Sequence, residues 1–139
     1  MGEIPIDKYR EIVDLMPIQC VDAVVIKDGR YLLVKRDNEP LKGVFMTPGG
    51  RVLKGEKLVD AVKRKVREET GLEVKPISVV GFYEDFYEKN ELGLDLVHTT
   101  SIVFACSYIG GEVRLDNQSS DYVWADSLPK ELNLQLICL

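Results

Sequence analysis

Residues 50–72 read GRVLKGEKLVDAVKRKVREETGL, and this stretch decides how the rest of the chain is understood. From Lys57 to Thr70 the pattern is that of a helix closed by Gly71, the residue type that most easily takes the left-handed conformation ending a helix. At about 100° per residue, with Glu56 at zero, Leu58, Val62 and Val66 fall near 200°, 240° and 280° and form an apolar stripe. Glu69 falls at about 220°, within that stripe. A carboxylate there loses hydration unless it is paired, hydrogen-bonded or bound to a metal. Lys65, four residues earlier, offers a pairing partner at the rim of the core. A metal offers the other solution.

A second ridge, Glu56, Asp60, Arg64 and Glu68, runs beside the stripe at four-residue spacing. Glu56 and Asp60 are placed to clamp Arg64, and Arg64 to hold Glu68 beside Glu69. Oriented carboxylates of this kind suit Mg²⁺, a hard ion that demands oxygen donors in fixed geometry. The preceding turn, Pro48-Gly49-Gly50, lets backbone groups approach a metal or phosphate closely.

Upstream, Ile6 to about Met16 carries Ile6, Tyr9, Ile12, Val13 and Met16 at helical spacing after Pro5, which predicts a short N-terminal helix ended by Pro17. Ile18 to Lys27 and Tyr31 to Val34 flank Asp28-Gly29, a hairpin signature. Val44 to Thr47 leads into the glycine turn. Downstream, Leu72 to Val74, Ile77 to Tyr87, His98 to Ile109 and Tyr122 to Ala125 read as strands, and Ser127-Leu128-Pro129 opens a final helix through Leu132. The order predicts an α/β sandwich in which helices, one near each end, cover a mixed sheet.

The 139 residues, 45% hydrophobic and 29% charged, suffice for one ordinary core, so one domain over 1–139 is expected. A net charge of -5 has the wrong sign for a nucleic-acid binder; an anionic ligand needs a local positive site or a bridging cation. Cys20, Cys106 and Cys138 lack any CxxC spacing, which predicts inert thiols rather than a disulfide framework or zinc site. The start MGEIPIDKYR has no basic, then apolar, leader, and no stretch reaches membrane-spanning length. No membrane association and a cytoplasmic location are therefore expected.

Together, Gly50, Glu56, Arg64, Val66, Glu68, Glu69, Gly71 and Leu72 resemble the Nudix box at eight of its nine defined positions. That resemblance implies an α/β/α sandwich and Mg²⁺-dependent hydrolysis, with Mn²⁺ as a substitute, of a small nucleoside diphosphate derivative. It implies Glu68, Glu69 and a backbone carbonyl at Gly49 or Gly50 as metal ligands, with Arg64 and Glu68 in the catalytic machinery. The ninth position, a Glu in the family, is Lys65. A charged lysine neither ligates Mg²⁺ nor accepts a proton. Three explanations stand: the base lies elsewhere, Lys65 contacts a substrate phosphate, or the domain binds without hydrolysing.

Outside the box, Lys35 to Pro40, Gly43 to Val52, Phe86 to Asn90 and Gln118 to Trp124 are similar to the GDP-mannose mannosyl hydrolase branch, within a likeness running from about Ile18 to Leu128. This branch's likeness implies phosphate or leaving-group contacts from Arg36 and Arg51, and Gln118 in the metal shell. It leaves a homodimer open, with the N-terminal helix available for exchange between subunits. The branch's catalytic histidine would follow Gln118, and here Ser119 stands there. Among loop carboxylates, Asp116 and Asp121 flank Gln118 and are the first candidates for the base, ahead of Glu84, Asp85 and Glu112. His98 is read as structural or substrate-contacting. Tyr83, Phe86, Tyr87, Tyr108, Tyr122 and Trp124 are divided between core packing and stacking on a nucleobase. The leading expectation is hydrolysis of a GDP-mannose-like nucleotide sugar at carbon; the alternatives are ADP-ribose pyrophosphatase chemistry at phosphorus and a non-catalytic nucleotide-binding domain.

Overall fold

A computed structural model describes residues 3–137. The order is α1 (Ile6–Leu15), β1 (Ile18–Lys27), β2 (Arg30–Arg36), β3 (Phe45–Met46), β4 (Gly49–Arg51), α2 (Leu58–Thr70), β5 (Glu73–Tyr87), β6 (Val97–Gly110), β7 (Ser119–Ala125) and β8 (Gln135–Leu136). Among the described residues the eight strands form one mixed sheet. β1 and β6 are parallel and the other pairings antiparallel.

Local signals hold where they were strongest. Asp28 and Gly29 both take positive φ, 52° and 74°, and close the β1–β2 hairpin in register Lys27 with Arg30. Gly71, at φ 77°, ends α2, its N–H donating to the Arg67 carbonyl at 2.9 Å. β5 absorbs the two predicted stretches on either side of Pro76 into one strand by shifting register around that proline.

The final helix does not form. After a single turn, in which the Leu132 N–H bonds the Pro129 carbonyl, the chain pairs Gln135 and Leu136 with Phe82 and Gly81 of β5. Leu132 is buried beside Val24, Met46, Tyr83 and Val103, so a tertiary anchor and a sheet edge outcompete a helix too short to propagate. No helix among the described residues is long and apolar enough to cross a membrane.

Alternation along β1 sorts the core. Val21, Ala23 and Val25 meet Ala61, Val62 and Val66 of α2, together with Leu32, Leu72, Val74, Phe104 and Cys106. On the opposite face Ile18 and Cys20 meet Tyr9 and Val13 of α1. The two helices thus cover opposite faces of β1. One edge of β1 is filled by β6; the other is shared by β2 near Ile26 and β4 from Cys20 to Asp22. On the face of β1 that carries Ile18, Cys20 and Asp22, the space between α1, β2 and the glycine turn is open and becomes the site.

Candidate active site

A cavity of about 420 Å³ occupies this opening, and Gly49, Gly50, Arg51, Lys65, Glu69, Arg36, Gln118 and Ser119 all line it. Its floor comes from β1 and β5, through Cys20, Asp22 and Tyr83. Its outer wall comes from α1 (Tyr9, Val13), the loop after β2 (Glu39, Pro40, Leu41) and the loop after β5 (Asn90, Glu91, Leu92). The loops brace one another: Glu91 accepts the Glu39 amide hydrogen at 2.9 Å, and Arg10 of α1 donates to the Leu92 carbonyl at 2.8 Å.

Glu69 is 6% exposed, as its place in the apolar stripe of α2 requires. Its Oε2 accepts the Gly49 N–H at 3.1 Å, and its Oε1 lies 3.6 Å from Lys65 Nζ. The ion pair with Lys65 is therefore in place, and the backbone of the glycine turn adds a hydrogen bond to it. Burial pushes the Glu69 carboxyl up to about 7, against the pull of Lys65 and of the Gly49 amide.

The ridge is only partly as expected. Arg64 Nε donates to Glu56 at 2.7 Å, its two Nη groups reach Glu56 at 2.9 Å and Glu68 at 3.2 Å, and Nη2 also bonds the Arg51 carbonyl at 3.0 Å. Glu56 in turn accepts the Leu53 amide hydrogen. Arg64 thereby ties the loop before α2, the end of β4 and the last turns of α2 into one body, and it holds the Glu56 carboxyl below its ordinary range. Asp60 takes no part in this clamp. Glu68 is half exposed, held by Arg64 and Lys65, and does not line the cavity.

Asp116 and Asp121 do not line the cavity either, although Asp116 stays beside the site, its N–H bonding the Glu69 carbonyl at 3.4 Å and its charge helping to raise the Glu69 carboxyl. The Asp116 carboxylate accepts the Gln118 N–H at 3.0 Å, shaping the loop that presents Gln118. Asp121 is paired opposite Lys35 in the β2–β7 ladder, where strand alternation carries its exposed side chain away from the site. His98 is also outside, its ring stacked on Phe86 at 4.3 Å. Tyr83 and Tyr87 line the cavity, whereas Lys27 packs over the rings of Tyr108 and Trp124 and Tyr122 is exposed. Cys20 and Cys106 are free thiols that burial pushes up to about 12, as inert thiols should be; Cys138 lies outside the described residues.

Asp22 is the residue that pattern reading passed over. It is 6% exposed in the middle of β1, and it accepts hydrogen bonds from Tyr83, Ser101 and, at 3.3 Å, Thr47. Burial pushes its carboxyl up to about 7, the three donors opposing. Its signal was present: a single acid inside the strand IQCVDAVVIK needs partners in the interior.

The oxygen-bearing residues that line the cavity around the glycine turn are Glu69, Asp22, Gln118, Gly49 and Gly50. Among the described residues no group of three or more His, Cys, Asp and Glu side chains is gathered for a metal. A cation here would draw on carboxylate, carbonyl and amide oxygens, a set that suits Mg²⁺ or Mn²⁺ rather than zinc.

The chain matches the NUDIX domain family over residues 16–131. It is 40% identical to an ADP-ribose pyrophosphatase of Methanocaldococcus jannaschii over 125 residues, 88% of this chain and 70% of that one. It is 36% identical to the low-salt glycan biosynthesis protein Agl8 of Haloferax volcanii over 118 residues, 84% of this chain and 76% of that one. The crystal structure of a MutT protein from Methanosarcina mazei Go1 superposes with a TM-score of 0.67 at 28% identity, covering 80% of this chain and 78% of that one. The sequence match, the superposition and the Gly49 to Leu72 geometry agree: this chain belongs to the Nudix family of hydrolases.

Proposed function

We propose that the chain hydrolyses a nucleoside diphosphate joined to a sugar with the help of Mg²⁺ or Mn²⁺, and that ADP-ribose is the first substrate to test. The observation that carries this reading is the sharing of one cavity by Glu69, the Gly49-Gly50 turn, Gln118, Arg36 and Arg51. Its volume falls within the range of small-molecule sites. The Methanocaldococcus relative, named as an ADP-ribose pyrophosphatase, supports attack at phosphorus. So does Ser119, because a neutral hydroxyl cannot act as the histidine base of the mannosyl branch, and His98 does not line the cavity.

Glu69, Gln118 and a backbone carbonyl of the glycine turn would hold the cation, which when bound polarises phosphoryl oxygens and offsets the diphosphate charge. Arg36 and Arg51 bind and orient the diphosphate, as guanidinium forks do. Arg36 is fixed by donating Nε to the Pro40 carbonyl at 2.6 Å, and Arg51 lies over the Tyr9 ring at 5.5 Å. Arg64 and Glu68 act by holding the end of α2. Asp22, rather than Asp116 or Asp121, is the carboxylate assigned to take a proton from attacking water: its Oδ1 carries only the longer bond from Thr47.

A second reading, carbon attack on GDP-mannose, draws support from Arg36, Arg51 and Gln118, which the mannosyl branch's likeness implies as site residues and which share the cavity. Product analysis in ¹⁸O water separates the two. AMP and ribose phosphate from ADP-ribose support phosphorus attack, whereas GDP and free mannose support carbon attack. Tight binding of either nucleotide without turnover, with Mg²⁺ or Mn²⁺ present, overturns the hydrolase reading in favour of a binding domain.

A further inference from the structure

Lys65 is 9% exposed and lines the cavity, yet its surroundings are those of a bound cation rather than of a surface lysine. Its Nζ lies 3.4 Å from Glu68 Oε2 and 3.6 Å from Glu69 Oε1, between a half-exposed and a buried carboxylate of the same helix. Its stem runs across Gly50, where a methyl group on the backbone would overlap Cε. The stem takes this path because Gly50 has no Cβ; a methyl there would push the end of the lysine aside. Arg64 holds Glu68 from its other side and leaves Lys65 as the cation nearest Glu69.

We infer that Lys65 is a tethered cation occupying the space between Glu68 and Glu69, so that this chain takes one divalent ion, at the Glu69, Gln118 and glycine-turn side, and has no second ion bridged through Glu68. The inference rests on the reading that a divalent ion binds at Glu69. The physical reason is charge. With Lys65 present, its ammonium stands between the two carboxylates while Arg64 already holds Glu68, and a second dication brought between them would meet that ammonium at contact distance. Replacing Lys65 by Glu leaves three carboxylates around the same space, and oxygen donors for a second hard ion.

The test is a count of bound Mn²⁺ per chain, read from the electron paramagnetic resonance signal of the free ion during titration of the full chain without substrate. Wild type is expected to bind one Mn²⁺. Lys65→Glu is expected to bind a second, and Lys65→Met, which keeps the stem and removes the charge, to tighten the single site by about tenfold. Two or more ions on wild type, or none, overturns the inference, and this measurement needs no variant to fold. An unchanged count in folded Lys65→Glu overturns it as well. One ion on wild type and two on Lys65→Glu, with no hydrolysis of any nucleotide sugar, overturns the hydrolase reading and leaves the tethered cation standing. Hydrolysis by a wild type that binds two ions does the reverse.

Discussion

The Glu69 carboxylate accepts the backbone N–H of Gly49 at 3.1 Å, joining the last turn of α2 to the turn that leads into β4. Glutamine at 69 keeps an oxygen for that amide but removes the charge. Glu69→Gln should therefore keep the thermal midpoint within a few degrees while lowering kcat/KM by at least about 100-fold, since even groups one layer further from a metal cost 10–100-fold. Mn²⁺ affinity should fall in parallel. A variant that loses activity but binds Mn²⁺ as wild type does would remove Glu69 from the ion.

The parts of the fold that were legible in the sequence are those decided within a few residues. Asp28-Gly29 specifies its hairpin by backbone conformation alone, and the four-residue spacing of Val62, Val66 and their neighbours specifies α2 and the burial of Glu69. Ser127 to Leu132 carries a helix-start signal too, but its outcome is set by burial of Leu132 and pairing with β5, through partners distant in the chain that no local pattern contains. The partners of Asp22 were hidden for the same reason. Strand alternation tells which face it occupies, not that Thr47, Tyr83 and Ser101 would converge on it. The spacing around Gln118 placed Asp116 and Asp121 near the site, and the ladder pairing of Asp121 with Lys35 turned one of them away.

Arg64 makes contacts that lysine cannot reproduce, because its planar fork bonds Glu56, Glu68 and the Arg51 carbonyl at once. Arg64→Lys should lower kcat about 10–100-fold with a smaller change in KM, as expected of a residue that positions others. The Mn²⁺ affinity of the Glu69 site should weaken, which a residue serving stability alone would not produce. Equal loss from Arg64→Lys and Arg64→Ala would fit the fork argument; full activity in Arg64→Lys would sink it.

Burial raises the carboxyls of Asp22 and Glu69 to about 7 in the fold, above the ordinary carboxylate range they regain on unfolding. Between about pH 4 and 7 the folded chain therefore binds protons that the unfolded chain has released, and stability falls as pH rises through that window. In chelator the thermal midpoint should be higher at pH 5 than at pH 8. Glu56 and Glu73, whose carboxyls are lowered by Arg64 and Arg67, act in the opposite sense and only at lower pH. Asp22→Asn should flatten the slope between pH 5 and 8, and Mn²⁺ at pH 8 should restore part of the midpoint through Glu69. A chelated protein more stable at pH 8 than at pH 5 contradicts the assignment.

The two glycines of the turn differ in what stands against them. A methyl at Gly49 would overlap both the Asp22 carboxylate and the Val21 carbonyl, and the latter is backbone in the middle of β1. It cannot move without breaking the β1–β4 pairing of Val21 with Gly50 and Asp22 with Gly49. A methyl at Gly50 meets first the end of the Lys65 side chain, which is flexible. Gly49→Ala should thus cost about 3 kcal/mol or more whatever else is changed, at the upper end for overpacking. Gly50→Ala should cost about 1–2 kcal/mol, and the cost should largely vanish when Lys65→Ala clears the space, a coupling of the size found between contacting residues. Urea denaturation of the two singles and the double measures that coupling. Additive effects would mean that Gly50 is required by its own backbone and not by the lysine crossing it, and the steric match between the two residues would have to be abandoned.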